Sequence, residues 1–155
     1  MLYLFIIGGI LLLDYKVKEH VNNTRLQGET HEILNGKLVL RNCHNKDTAF
    51  GTVKLGDENC RELSTLGLGG VLAELCHQVV HGGSKLSKIG LSMAFGGGLG
   101  NYLDRKTNGY VTDYVSIGAK NKKISKMVFN ISDFCIFCGA FLWVISGILP
   151  EKKEK

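Results

Sequence analysis

The 155-residue chain is 45% apolar and 21% charged, with a net charge of +5. The length suits one domain, and the averages conceal a division into apolar segments and charged loops, which argues for a small multi-pass membrane protein over a water-soluble globule. The positive charge does not point to nucleic acid: no basic face with interleaved aromatics is present, and three lysines lie in the terminal EKKEK beside the last apolar segment.

The first apolar segment, MLYLFIIGGILLLDYKV, predicts a membrane helix over 2–15. No basic stretch precedes it and no small-x-small site closes it, so it reads as a retained helix, not a cleaved leader. Its core is short for a span of ~20 residues. That places Asp14 and Lys18 at or just inside the far interface, where a long lysine snorkels. Residues 19–62 read as a polar loop. Within it, EILNGKLVLRN alternates on both sides of Asn35-Gly36, the pattern of a β-hairpin, and predicts a small sheet on the membrane surface.

A second, marginally apolar segment covers 63–80. Its Glu74 and His77 stand at helical spacing, but a di-metal bundle needs a second such pair and more carboxylates. An interior-facing polar pair and no metal are expected. The third segment covers 86–104, where Gly96 and Gly100 form a G-x-x-x-G that permits close helix approach in lipid. Its GGGLGN lacks the preceding strand and third glycine of a dinucleotide fingerprint. Residues 105–127 read as a second polar loop ending in KNKKISK, and the fourth segment covers 128–149. The cysteines, Cys43, Cys60, Cys76, Cys135 and Cys138, are odd in number and scattered, so no disulfide framework is implied. Cys135-x-x-Cys138 lies in an apolar helix and reads as packing.

Two stretches carry the chemistry: AFGGGLGNYLDRKTNGYVTDY at 94–114 and FNISDFCIFCGAFLWVI at 129–145. Two apolar segments meet at one polar end, and each brings a carboxylate to it, Asp113 and Asp133. Ionisable groups at the edge of a membrane segment are costly and mark a functional site. Two carboxyls sharing one proton hold an acid and a base together and can hydrolyse a peptide bond without a metal. No histidine stands in either stretch to activate a serine or cysteine. Two other readings compete. Asp133 suits an N-terminal helix acid favoured by the helix dipole. A small carrier would use Asp and Lys as a relay, with polar groups at mid-membrane depth.

The run G-G-x-L-G-N-x-x-D-R-x-x-x-G-Y-V-x-D-Y, followed by F-N-x-x-D, resembles the signature of bacterial lipoprotein signal peptidase (signal peptidase II), a family of integral-membrane aspartyl proteases. The resemblance covers nearly the whole chain, strongest over 94–140 and weakest over 55–90. Asp14 and Lys18 match an acid and a lysine, four residues apart, at the end of the family's first helix. Asn45, Ala49, Phe50 and Gly51 match its N-x-G-x-A-F motif, with Asp47 where the family has glycine. The resemblance implies a mainly α membrane protein, a four-transmembrane-helix bundle with a small extracytoplasmic β-hairpin or sheet. It implies Asp113 and Asp133 as the catalytic pair, with Asp14, Lys18, Asn45, Asn101, Asp104, Arg105 and Asn130 binding substrate or supporting the pair, and neither metal nor cofactor. Asp104 is a third candidate for the pair, but Arg105 beside it would keep its carboxyl ionised, which suits Asp104 to a structural or substrate-positioning role. The expected reaction is removal of signal peptides from lipid-modified prolipoproteins, cutting before the diacylglyceryl-cysteine. Prolipoproteins and membrane lipids are the expected partners of a monomer in the bacterial cytoplasmic (inner) membrane, its site near the extracytoplasmic face. With four spans, Lys85, Lys88 and the tail lie on the cytoplasmic side. The other loops hold more Lys and Arg in total, so this orientation rests on the resemblance and not on charge bias. The alternative is an inactive protein of the same fold that binds lipoprotein precursors or lipid.

Overall fold

The computed structural model describes residues 1–46, 57–119 and 121–149. In chain order these form helix α1 (Leu2–Thr24), strands β1 (Thr30–Ile33) and β2 (Leu38–Asn45), helices α2 (Asp57–Val80) and α3 (Lys85–Asn108), strand β3 (Val111–Ile117), a short helix α4 (Lys122–Ser125), strand β4 (Val128–Phe129) and helix α5 (Ile131–Ile148). The protein is mostly helical with a small antiparallel sheet. Asp47, Ala49, Phe50 and Gly51 of the matched loop motif lie outside the described residues.

The central helix is α3, which packs against α1, α2 and α5. Its 24 residues are about 36 Å long at the helical rise. The Ser84 side chain caps its start by accepting the Ser87 N–H at 3.0 Å. Gly109, in the left-handed region at φ 77°, ends it. The glycines of α3 face two ways. A methyl group on Gly96 would come within 3.3 Å of the Ile7 Cα in α1. One on Gly97 would overlap the Ser132 carbonyl of α5, and one on Gly90 would stand 2.6 Å from the Gly139 carbonyl. Gly96 thus lets α1 approach, Gly90 and Gly97 let α5 approach, and Gly100 lies against both, where an added methyl would stand 2.8 Å from Ser132 Oγ and 3.1 Å from Asp14 Oδ2.

Polarity is inverted relative to a soluble domain. Among the described residues, five buried hydrophobics (Val21, Leu75, Leu91, Val111 and Tyr114) stand against eleven buried polar or charged residues. Large apolar side chains such as Phe5, Leu66, Phe141 and Ile148 are exposed. That pattern suits a lipid solvent outside and a polar site inside. Among the described residues, two helices are long and apolar enough to cross a membrane by composition, Glu62–Val80 with mean hydropathy 1.3 and Ile131–Ile148 with 1.9. The marginal second segment is therefore one of the two that pass. Charged residues of α1 and the glycine-rich, polar-ended sequence of α3 lower the apolarity of the other two long helices.

Several boundaries differ from the sequence expectation. The first helix runs to Thr24, past the expected end at 15, because neither glycine nor proline stands between Asp14 and Gly28. Asp14, Lys18 and Val21 are its buried residues, spaced by four and three along one face. The polar loop expected at 105–127 instead holds the end of α3, β3 and α4. V-T-D-Y-V-S-I carries the period-two pattern of a strand. Residues 128–129, expected in the fourth segment, pair as β4 with β3.

The sheet order is β1-β2-β3-β4, all antiparallel. The predicted hairpin is present, with its turn at Leu34–Lys37 and Asn35 at φ 57°. Between Leu40 and Cys43 the register of β2 slips by one residue: Leu40 pairs with Val115, Cys43 with Asp113 and Asn45 with Val111. A bulge of this kind changes which side chains share a face. Before it, Leu38 and Leu40 stand on the face of Ile117 and Val115. After it, Cys43 and Asn45 stand on the face of Asp113.

Candidate active site

Asp113 reaches the site from the middle of β3, and Asp133 from the first turn of α5. Asn130 holds the second by a reciprocal capping box. Its side-chain oxygen accepts the Asp133 N–H at 2.9 Å, and its own backbone N–H donates to Asp133 Oδ2 at 3.0 Å. With its oxygen so occupied, the Asn130 amide nitrogen is directed elsewhere. It donates to Asp113 Oδ1 at 2.7 Å and to Asn101 Oδ1 at 3.1 Å. Asn130 therefore bonds both carboxylates and is fully buried.

Each carboxylate has both oxygens occupied. Asp113 Oδ2 accepts from Asn45 Nδ2 at 2.9 Å, through the phase change in β2. Asp133 Oδ1 accepts from Asn101 Nδ2 at 2.9 Å. Behind them, the Lys18 ammonium lies 2.6 Å from Asp14 Oδ2, 2.9 Å from Asp104 Oδ2 and 2.9 Å from Asn101 Oδ1. Asp14 Oδ1 accepts the Ser132 N–H at 3.3 Å, which ties α1 to the start of α5. Arg105 Nη1 donates to the Asn101 carbonyl at 3.4 Å. A cleft of about 110 Å³ opens on this cluster. Asn45, Asn101, Arg105, Asp113 and Asp133 form its polar side; Val111, Val128, Ile136 and Phe137 form its apolar side.

The electrostatics follow from burial. The Asp113 carboxyl is pushed up to about 7, first by burial and then by the charge of Asp133, against the hydrogen bonds from Asn45 and Asn130 and the Lys18 charge. Burial likewise raises the Tyr114 phenol. Its oxygen accepts the Ile131 N–H at 3.0 Å, helping to seat α5. The Cys43 thiol is raised by burial and by Asp113, its cross-strand partner. Burial lowers His44, whose ring stacks on Tyr110 at 3.8 Å near the cleft.

All nine residues singled out in the sequence, Asp14, Lys18, Asn45, Asn101, Asp104, Arg105, Asp113, Asn130 and Asp133, converge here from α1, β2, α3, β3 and α5. Sequence reasoning missed Tyr114 and Ser132. Each adjoins a singled-out aspartate, and that adjacency was the available signal. It also missed the apolar wall, whose residues look like ordinary strand and helix positions.

The model of the signal peptidase (SPase) II family matches residues 6–149. A lipoprotein signal peptidase of Caldicellulosiruptor bescii is 30% identical over 155 residues, which is 100% of this chain and 95% of that protein. One of Fusobacterium nucleatum subsp. nucleatum is 28% identical over 155 residues, 100% of this chain and 91% of that protein. Among solved structures, a bacterial membrane enzyme determined by the in meso method superposes with a TM-score of 0.79. It shares 22% identity, over 99% of this chain and 92% of that one. The last likeness is one of fold.

Proposed function

The chain belongs to the signal peptidase (SPase) II family, and from that premise we propose that it is a membrane protease that removes signal peptides from lipid-modified prolipoproteins, using Asp113 and Asp133 as an aspartyl pair. The observation that carries the mechanism is Asn130, which hydrogen-bonds both carboxylates at one cleft.

In this mechanism Asp113 carries the shared proton at neutral pH. Asp133, in the first turn of α5 where the helix dipole favours a negative group, takes a proton from a water molecule. The water oxygen attacks the scissile carbonyl while Asp113 gives its proton to the carbonyl oxygen. Collapse of the tetrahedral diol breaks the C–N bond: one hydroxyl returns its proton to Asp113 as the new carboxyl forms, and Asp133 gives its proton to the leaving amine of the diacylglyceryl-cysteine. Asn45, Asn101 and Asn130 hold the carboxylates, Asp14, Lys18 and Asp104 support them from behind, and Arg105 on the cleft wall positions the substrate backbone.

The four long helices α1, α2, α3 and α5 are assigned as spans of the bacterial cytoplasmic membrane, with the sheet and the cleft at the extracytoplasmic face. Exposed apolar side chains on α1, α2 and α5 support this, as does the clustering of the buried charged groups, Asp14, Lys18 and Asp113, at one end of the bundle. A monomer suffices, since the cleft is built from one chain. The inactive alternative has no observation in its favour.

The test is cleavage of a lipidated prolipoprotein by the reconstituted protein, read as a gel shift. Asp113→Asn and Asp133→Asn should each lower the rate by on the order of 10³-fold while the protein stays inserted and folded. Full activity in either variant, or inhibition by metal chelators, overturns the aspartyl reading.

A further inference from the structure

We infer that Lys18 is a positioning residue that acts on the reaction through the Asn101 amide: its ammonium fixes which end of that amide faces Asp133. The inference rests on the aspartyl reading above, because it concerns the base that reading assigns.

The Lys18 side chain is buried, with 3% of the residue exposed. An ammonium has three N–H donors, and three acceptors surround this one, Asp14 Oδ2, Asp104 Oδ2 and Asn101 Oδ1. No donor remains for a substrate, so whatever Lys18 contributes passes through these neighbours. Two of them are carboxylates that clamp the ammonium from α1 and α3. The third is the amide that touches Asp133.

An asparagine amide has one accepting end and one donating end, of nearly equal size. Nothing in its shape prevents a half-turn that exchanges them. At Asn101 the partners decide. Toward the interior it meets the Lys18 ammonium, which can only donate, and the Asn130 amide nitrogen, which also donates. The Asn130 nitrogen is itself directed there because the Asn130 oxygen is held by the Asp133 N–H. The Asn101 oxygen must therefore face inward, and its nitrogen must donate to Asp133 Oδ1. Turned over, Asn101 would set donor against donor at Lys18 and lone pair against carboxylate at Asp133. Of the two inward donors, Lys18 supplies the charge-assisted and stronger bond. Its charge also polarises the amide and strengthens the N–H offered to Asp133.

The geometry closes on itself. Asp14, which clamps Lys18, accepts the N–H of Ser132, the residue before Asp133. The charged and titratable groups around Asp133 are thus Asp14 and Lys18 from α1, Asp104 and Arg105 from α3, and Asp113 and Tyr114 from β3.

The experiment is a double-mutant cycle on cleavage of a lipidated prolipoprotein by the full chain in lipid, with kcat and KM measured separately. Lys18→Met alone leaves Asp14 and Asp104 buried without their cation, so a charge-balanced triple variant, Asp14→Asn/Lys18→Met/Asp104→Asn, is run beside it. Asn101→Ala is made in the parent and in both backgrounds, and each protein is checked for its thermal transition. Loss of the orienting ammonium should lower kcat by about 10²-fold with KM nearly unchanged. Adding Asn101→Ala to either background should cost little more, because residues that act as a unit are not additive. Additive losses, or a loss confined to KM, overturn the inference. Full kcat in the folded triple variant overturns it equally. These outcomes are separable from failure of the aspartyl reading, which would show as activity in Asp113→Asn or Asp133→Asn whatever the cycle gives.

Discussion

Burial and the neighbouring Asp133 hold the Asp113 carboxyl at about 7, so a proton that ordinary carboxyls lose near pH 4 is retained to neutrality. Two consequences have opposite signs. In catalysis, a pair that needs one shared proton loses it as pH rises, so the cleavage rate should fall above about pH 7, tenfold per unit once the group is ionised. A rate that keeps rising to pH 9 would contradict this. In stability, the folded chain holds a proton that the unfolded chain has released between about pH 4 and pH 7, so folding weakens as pH rises through that window. Asp113→Asn has no proton to lose. It should therefore melt at a higher temperature than the parent at pH 8, and the advantage should shrink as pH falls to 4. Asp104→Asn should cost less activity than either dyad change, since Asp104 bonds Lys18 and the Thr112 N–H and touches neither dyad carboxylate. The aspartates and asparagines of this site were legible in the sequence because each stood in a spaced polar motif beside an apolar segment. The sequence also suggested Arg105 as the cation of Asp104 by adjacency. The fold places Lys18 there, brought by a helix 83 residues away from Asn101 along the chain. Pairing across helices depends on rotation about their axes, which adjacency does not encode.

At the level of elements, strand β2 shows how a single extra residue aims a side chain. Arg41 and Asn42 occupy the bulge, and both side chains turn to the flanks. Arg41 donates to the Ser125 carbonyl at 3.2 Å, and Asn42 to the Arg25 carbonyl at 2.9 Å. The strand resumes in the opposite phase, which sets Asn45 beside Asp113. Insertion of one alanine between Asn42 and Cys43 should slip the pairing that follows by one residue, turn Asn45 to the other face and lower cleavage on the order of 10²-fold. Arg41→Ala keeps the phase and should retain most of the activity. Equal losses in the two, in proteins of equal folded yield, would show that phase is not the cause. The hairpin ahead of the bulge was legible from Asn35-Gly36 and its flanking alternation. The bulge was not, because no glycine or proline marks it. Strand β3 was overlooked for a different reason: polar Thr112, Asp113 and Ser116 dilute its hydropathy, and only its period of two gives it away. They are buried here because Asp113 serves the site, Thr112 accepts from Asn22 of α1 at 3.1 Å and Ser116 donates to the Val39 carbonyl of β2 at 3.4 Å.

For the whole molecule, the assignment of four spans with both ends on one side is open to a direct measurement. A reporter that functions only in the cytoplasm should be active when fused to either terminus. One placed in the turn at Asn35-Gly36 should be silent. An active reporter at the turn would reverse the orientation. The division into four long helices and one sheet was readable from hydropathy and one turn signal, whereas the packing order around α3 was not. That order is set by which glycine faces which neighbour, and Gly90, Gly97 and Gly139 look alike in a sequence. The inverted polarity has a calorimetric consequence. A soluble domain absorbs excess heat on unfolding because it wets apolar surface, while wetting polar surface has the opposite sign. Here many large apolar side chains are outside already, and the fully buried residues that opening the bundle would wet are more often polar than apolar. The heat-capacity step should therefore be small for 155 residues. The stability curve should be correspondingly flat, leaving the protein little more prone to unfolding in the cold than in the warmth.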